Sequence, residues 1–67
     1  MNVNATMLKL HSAACDLTVR ELAAKSGVAY GTVCKARAGG KVSERVVLKL
    51  AKALGVEPQE IIRDTDQ

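Results

Sequence analysis

The sequence has no phenylalanine and no tryptophan, and Tyr30 is its only aromatic residue. Proteins that hold single-stranded nucleic acid stack successive bases on several rings, so this composition argues against that class. Cysteine is scarce as well. Cys15 and Cys34 are the only two and can close at most one bridge. No charged start followed by a long apolar run marks a secretory signal, so reduced thiols in a cytoplasm are expected, as small side chains buried within helices. No apolar run approaches the roughly 20 residues of a membrane span. His11 is the only histidine. A metal centre would have to combine it with Cys15 and Cys34 without any paired cysteine motif, and none is expected. Nor is there a Ser/His/acid set, a pair of carboxylates suited to a cleft, or a glycine loop able to cradle phosphate. An enzyme is therefore not expected.

What the chain does contain is aliphatic residues, alanine and charge. At 67 residues it suits one small domain, near the lower size at which a single core suffices. The net charge of +3 is unevenly spread: residues 1–53 carry nine Lys/Arg against Asp16, Glu21 and Glu44, while residues 54–67 carry Arg63 against Glu57, Glu60, Asp64 and Asp66. A basic body with an acidic end suits one face to a polyanion.

The stretch Leu17 to Gly39, LTVRELAAKSGVAYGTVCKARAG, organises the rest. Thr18 and Glu21 form a Thr-x-x-Glu capping box that opens a helix. Val19, Leu22, Ala23 and Ser26 then recur at i, i+3, i+4 and i+7, with Arg20, Glu21 and Lys25 opposite. Gly27 stands where the pattern stops and supplies a left-handed turn. Val28 plugs the corner, and a second helix runs from about Ala29 to Ala38 before Gly39-Gly40 ends it. Two short helices at a steep angle across a glycine turn make a helix-turn-helix.

Around this unit the patterning predicts three further helices, giving an all-α, five-helix domain with no sheet. The first runs from about Ala5 to Cys15, with Asn2 or Asn4 as cap and Val3, Met7, Leu10 and Ala14 inward; Leu8 and Cys15 lie beside that stripe. Residues Met1 to Asn4 are expected to be loose. Leu17 is buried at the junction with the second helix. Ser43 caps the fourth helix, which buries Val47, Leu50, Ala51 and Leu54 and closes at Gly55. Val56 returns to the core. Pro58 starts a short fifth helix carrying Ile61 and Ile62 inward, and Asp64 to Gln67 are expected to fray.

Thr18, Leu22, Ala23, Gly27, Val28, Val33 and Gly39, followed by LKLAKALGV at Leu48 to Val56, resemble the Cro/C1-type helix-turn-helix family of phage repressors and related regulators. The resemblance spans about residues 5–62 within a single domain covering residues 1–67. It implies a lambda-repressor-like fold and sequence-specific binding of double-stranded DNA, with the recognition helix of about 29–38 in the major groove. Carried over by position, Tyr30, Gly31, Thr32 and Lys35 become base-reading residues. Thr18, Arg20, Lys25, Arg37, Lys41 and Arg45 become phosphate contacts, helped by free N–H groups at the starts of helices two and four. A homodimer on DNA, no cofactor and no small-molecule ligand are implied by the same resemblance. Spacing agrees with the base-reading set. Val33 must face the core, with Ala36 beside it, so Gly31, Thr32 and Lys35 fall opposite.

The chain departs from the family pattern at three places. Val19 stands where Gln often grips a phosphate. Ala29 offers no capping oxygen where Ser is common, and Gly31 within the helix costs roughly 1 kcal/mol against alanine. Arg37 replaces a Glu that often pairs with the first helix, which frees it for phosphate. The competing expectation keeps the fold as a protein-binding module or antitoxin-like partner, using Val46, Leu48 and Ile62 as apolar residues left over after folding.

Overall fold

The computed structural model describes residues 2–63; Met1 and the stretch Asp64 to Gln67, for which fraying was expected, lie outside them. Each helix follows from local chemistry. α1 (Ala5–Ala14) begins at Asn4, whose side-chain oxygen accepts from the Met7 N–H at 3.1 Å. It ends where Asp16 takes a positive φ of 57°. Asp16 N–H donates to the Ala13 carbonyl at 3.0 Å and Leu17 N–H to that of Ser12 at 2.9 Å, a paired closure that satisfies the last carbonyls. α2 (Val19–Ser26) carries the capping box: Thr18 N–H donates to Glu21 Oε1 at 2.8 Å, and Glu21 N–H to Thr18 Oγ1 at 3.2 Å. α3 (Tyr30–Arg37) starts at Ala29 without a side-chain cap. α4 (Glu44–Leu54) begins at Ser43, whose hydroxyl accepts from Val46 N–H at 3.3 Å.

The expected fifth helix is a single 3-10 turn over Pro58–Glu60, so the described residues form four α-helices rather than five. The reason lies in what the following residues pair with. Asn4 N–H donates to the Ile61 carbonyl and Arg63 N–H to that of Asn2, both at 2.8 Å. Val3 and Ile62 form an isolated antiparallel bridge, as do Asn2 and Lys41. Extended pairing with the start of the chain takes the backbone groups that another helical turn would have used. The same bonds hold residues 2–4 in place, against the expectation of a loose end. Among the described residues these bridges are the only extended pairing, and the class is all-α.

Leu8, Leu22, Val33, Val47, Leu50 and Ile61 are all but sealed from solvent and join the four helices and the final turn in one core. Leu17 and Val56 are half-buried at its edge. Helix α1 is rotated from the expected face: Leu8 and Ser12 point inward, Met7 is half-buried, and Leu10 and Ala14 are exposed, Leu10 by 58 %. Val3 had set the expected phase, yet it lies before the helix and belongs to a bridge. Ser12 also disguised the inward face, because its hydroxyl is satisfied internally, donating to the Leu8 carbonyl at 2.7 Å.

The thiols differ from expectation too. Cys15 and Cys34 are free and exposed rather than buried. Cys15 caps α1, where its Sγ donates to the Leu54 carbonyl at 3.6 Å. Val33 and Ala36 take the inward positions of α3, which turns Cys34 out. His11 lies beside the final turn, its Nε2 3.8 Å from Glu60 Oε1. No helix among the described residues is long and apolar enough to cross a membrane.

Candidate nucleic-acid interface

The turn between α2 and α3 is built from three residues. Gly27 sits at φ +76°, a conformation that a side chain strains, and its N–H donates to the Ala23 carbonyl at 2.9 Å. Val28 is buried, and its N–H donates to Ser26 Oγ at 3.2 Å. The corner is thus pinned both by packing and by hydrogen bonds, so α3 leaves it in one direction. With Val33 and Ala36 in the core, Gly31 and Lys35 are exposed and Thr32 is half-buried. Tyr30 stands at the leading end with 51 % of its surface exposed. Three of the four base-reading candidates, Tyr30, Gly31 and Lys35, are therefore exposed on one short helix; Thr32, expected beside them, is turned toward Ala36 at the half-buried margin. A Cβ built on Gly31 meets nothing within 4 Å, so this face is smooth at its centre.

Tyr30 is not isolated. The Arg20 guanidinium carbon lies 5.6 Å from the centre of its ring, within cation–π range. This contact links a phosphate candidate of α2 to a base-reading candidate of α3. Arg37, at the far end of α3, borders a groove of about 190 Å³ with Lys9, Val19, Cys34 and Ala38. Lys9 is a basic residue that sequence reasoning left as an ordinary outward lysine. Its relation to Arg37 depends on how α1 packs on α3, which no local pattern reveals. Val19 borders the same groove, so the position where relatives often place Gln does lie beside basic side chains.

The exit from α3 is also fixed. Gly39 N–H donates to the Ala36 carbonyl at 2.9 Å and Gly40 N–H to that of Lys35 at 2.8 Å. A Cβ on Gly40 would lie 2.8 Å from that Lys35 oxygen and 2.7 Å from Lys35 Cγ, so only glycine fits. The chain then presents Lys41, exposed and bridged through its backbone to Asn2, and next Arg45 in the first turn of α4. Thr18 is exposed at the start of α2. Its oxygen accepts the cap bond, which leaves its O–H free to donate.

Lys25 is placed elsewhere. It lines a second groove, of about 380 Å³, with Ser26 and with Lys49, Lys52 and Ala53 of α4. Sequence reasoning overlooked Lys49 and Lys52, although Arg45, Lys49 and Lys52 recur at i, i+4 and i+7. Among the described residues no lysine or arginine lies within ion-pair distance of a carboxylate, the one close contact of that kind being His11 Nε2 with Glu60 Oε1. The described lysines and arginines of the α3 side are thus open to phosphate.

A helix-turn-helix whose basic rim has no carboxylate partner among the described residues is the arrangement of a DNA-binding domain. The comparisons agree: a family model described as helix-turn-helix matches residues 13–61. The chain belongs to the Cro/C1-type helix-turn-helix family of DNA-binding transcriptional regulators. Among solved structures, it is similar to the restriction-modification controller protein C.AhdI from Aeromonas hydrophila at 35 % identity, with a TM-score of 0.76 over 84 % of this chain and 86 % of that one. It is also similar, at 33 % identity and a TM-score of 0.77, to part of Streptomyces albus HEPD, solved with 2-hydroxyethylphosphonate and Fe(II). That match covers 85 % of this chain and 13 % of that one. No curated protein matches the chain.

Proposed function

We propose that the chain is a Cro- or repressor-like regulator that reads a specific operator in duplex DNA, with α3 in the major groove. The observation that carries this reading is the exposed side of α3, where Tyr30, Gly31 and Lys35 stand, with Thr32 at its margin, on a helix anchored by Val33 and Ala36. A major groove about 12 Å wide admits such a helix. Lys35 can donate to guanine O6 and N7, and the Thr32 methyl can meet that of thymine. Gly31 lets the helix backbone come close. Arg20, Arg37, Lys41, Arg45 and the Thr18 hydroxyl grip phosphates around it, which fixes register without reading sequence.

The regulator works as a homodimer in the cytoplasm, without cofactor, small-molecule ligand or catalysis. C.AhdI, described as a controller protein of restriction-modification, makes a comparable regulatory role reasonable here. Selection of bound sites from random duplex DNA is the test. A recovered palindrome whose half-sites lie about 10 base pairs apart, or a multiple of that, supports paired recognition helices. Recovery of unrelated sequences counts against operator reading.

One observation favours a second reading. In HEPD the similar region is a small part of a much longer chain whose structure holds a substrate and iron, so the same fold also occurs within a chain that binds a small-molecule substrate. In a protein-binding module Leu48, 49 % exposed on α4, would contact protein; Val46 and Ile62 are half-buried and pack on the core, which leaves less apolar surface than the sequence suggested. Binding that is indifferent to salt and to DNA would favour this alternative.

A further inference from the structure

The groove between the end of α2 and α4 has no α3 residue in its lining, yet it is strongly basic. Lys25, Lys49 and Lys52 are three of its five lining residues, and the others are Ser26 and Ala53. No carboxylate lies within ion-pair distance of these lysines among the described residues. At about 100° and 1.5 Å per residue Lys49 and Lys52 lie about 60° and about 4.5 Å apart on α4. Phosphates of one duplex strand recur about every 3.4 Å along its axis, so these two lysines can meet about two of them.

The groove's chemistry selects among polyanions. Small Ser26 and Ala53 give the groove itself no apolar anchor, which protein interfaces need at their centre, and the exposed Leu48 of α4 is not among its lining residues. Lysines act as point charges and lack the planar fork that favours carboxylates, while remaining good phosphate binders. The helix ends here are C-terminal, with carbonyls rather than N–H groups outward. A single small phosphate would find no backbone donors, whereas an extended phosphodiester chain needs none.

We propose that this groove binds the backbone of a second DNA segment while α3 and Arg45 engage the operator. Lys25 belongs to that second contact and not to the operator grip. The proposal rests on DNA binding by α3 only for its simultaneous form, since the groove can hold duplex on its own.

The test immobilises a selected operator duplex, saturates it with protein, and measures retention of a free, labelled random duplex. A Lys49→Gln/Lys52→Gln variant should keep its binding to the immobilised operator and lose retention of the second duplex. The salt slope for random duplex should fall by about 1.8 units for two lost phosphate contacts. Lys49→Arg/Lys52→Arg should restore both. Failure of the unaltered protein to retain a second duplex overturns the proposal, as does retention that survives in the Gln variant through the partner's α3. Inorganic tripolyphosphate at matched ionic strength that displaces the second duplex in one-to-one competition would point to a small-ion site and overturn it too. Equal binding of random and selected duplex that vanishes only in the groove variant would refute operator reading and keep the groove.

Discussion

Gly31→Ala separates stability from recognition at one atom. Gly31 lies within α3 at an ordinary helical φ, and a Cβ there meets nothing within 4 Å. Folding should therefore gain the full propensity difference between the two residues, about 0.8–1.0 kcal/mol. α3 is only eight residues long and has no side-chain cap, so nothing else in it compensates for the glycine. For a domain of this size that gain raises Tm by about 4–8 °C. The added methyl projects from the face proposed to meet base edges, where close packing would make it an obstruction costing about 1–3 kcal/mol of affinity. Thermal melts by circular dichroism and titration of the selected operator measure the two effects independently. The expected result is a more stable protein that binds its operator more weakly. A variant that is stabilised and binds more tightly would refute the reasoning, since it would mean that α3 is merely ordered by the change and that position 31 does not meet DNA. An unchanged Tm would refute the open-space argument itself.

Gly40→Ala should act in the opposite sense, because its Cβ would fall 2.8 Å from the Lys35 carbonyl oxygen; a loss of about 1–3 kcal/mol in chemical denaturation is expected, and full stability would contradict the closure described after α3. A double-mutant cycle of Arg20→Ala and Tyr30→Ala should give a coupling of about 0.5–1 kcal/mol in the free protein, the range for an exposed cation–π pair. Additive losses would mean that the Arg20–Tyr30 contact carries no energy. Thr18→Ala removes the acceptor for Glu21 N–H and should cost about 1 kcal/mol. A cost near zero in thermal melts would show that the α2 cap is dispensable.

Helix ends were the most legible part of the fold, since caps are local chemistry. Thr18 with Glu21, Ser43 before α4, and Gly27 and Gly55 after their helices each announce a boundary in one short segment. The faces of α2 and α4 were legible for a related reason: their buried residues are apolar and periodic. α1 misled because its inward face includes Ser12, whose hydroxyl is satisfied by Leu8, while an apolar Leu10 is left in water. The final turn misled because its fate depends on residues 2–4, some 55 positions away, which pair with residues 61–63. In the candidate site the α3 side was legible from the spacing of Val33 and Ala36. The Arg20–Tyr30 contact, the meeting of Lys9 with Arg37, and the removal of Lys25 to a groove with Lys49 and Lys52 were not, because each depends on how two helices pack.

The central claim is that α3 reads bases through Lys35 while Arg37 grips the backbone. The most direct measurement compares Lys35→Ala and Arg37→Ala on the selected operator and on random duplex across a range of salt. Lys35→Ala should cost roughly 1–3 kcal/mol on the operator and narrow its preference over random DNA. Arg37→Ala should weaken both about equally and lower the salt slope by about one unit. If Lys35→Ala weakens both duplexes equally, or neither, the exposed side of α3 does not read sequence and the account fails at its centre.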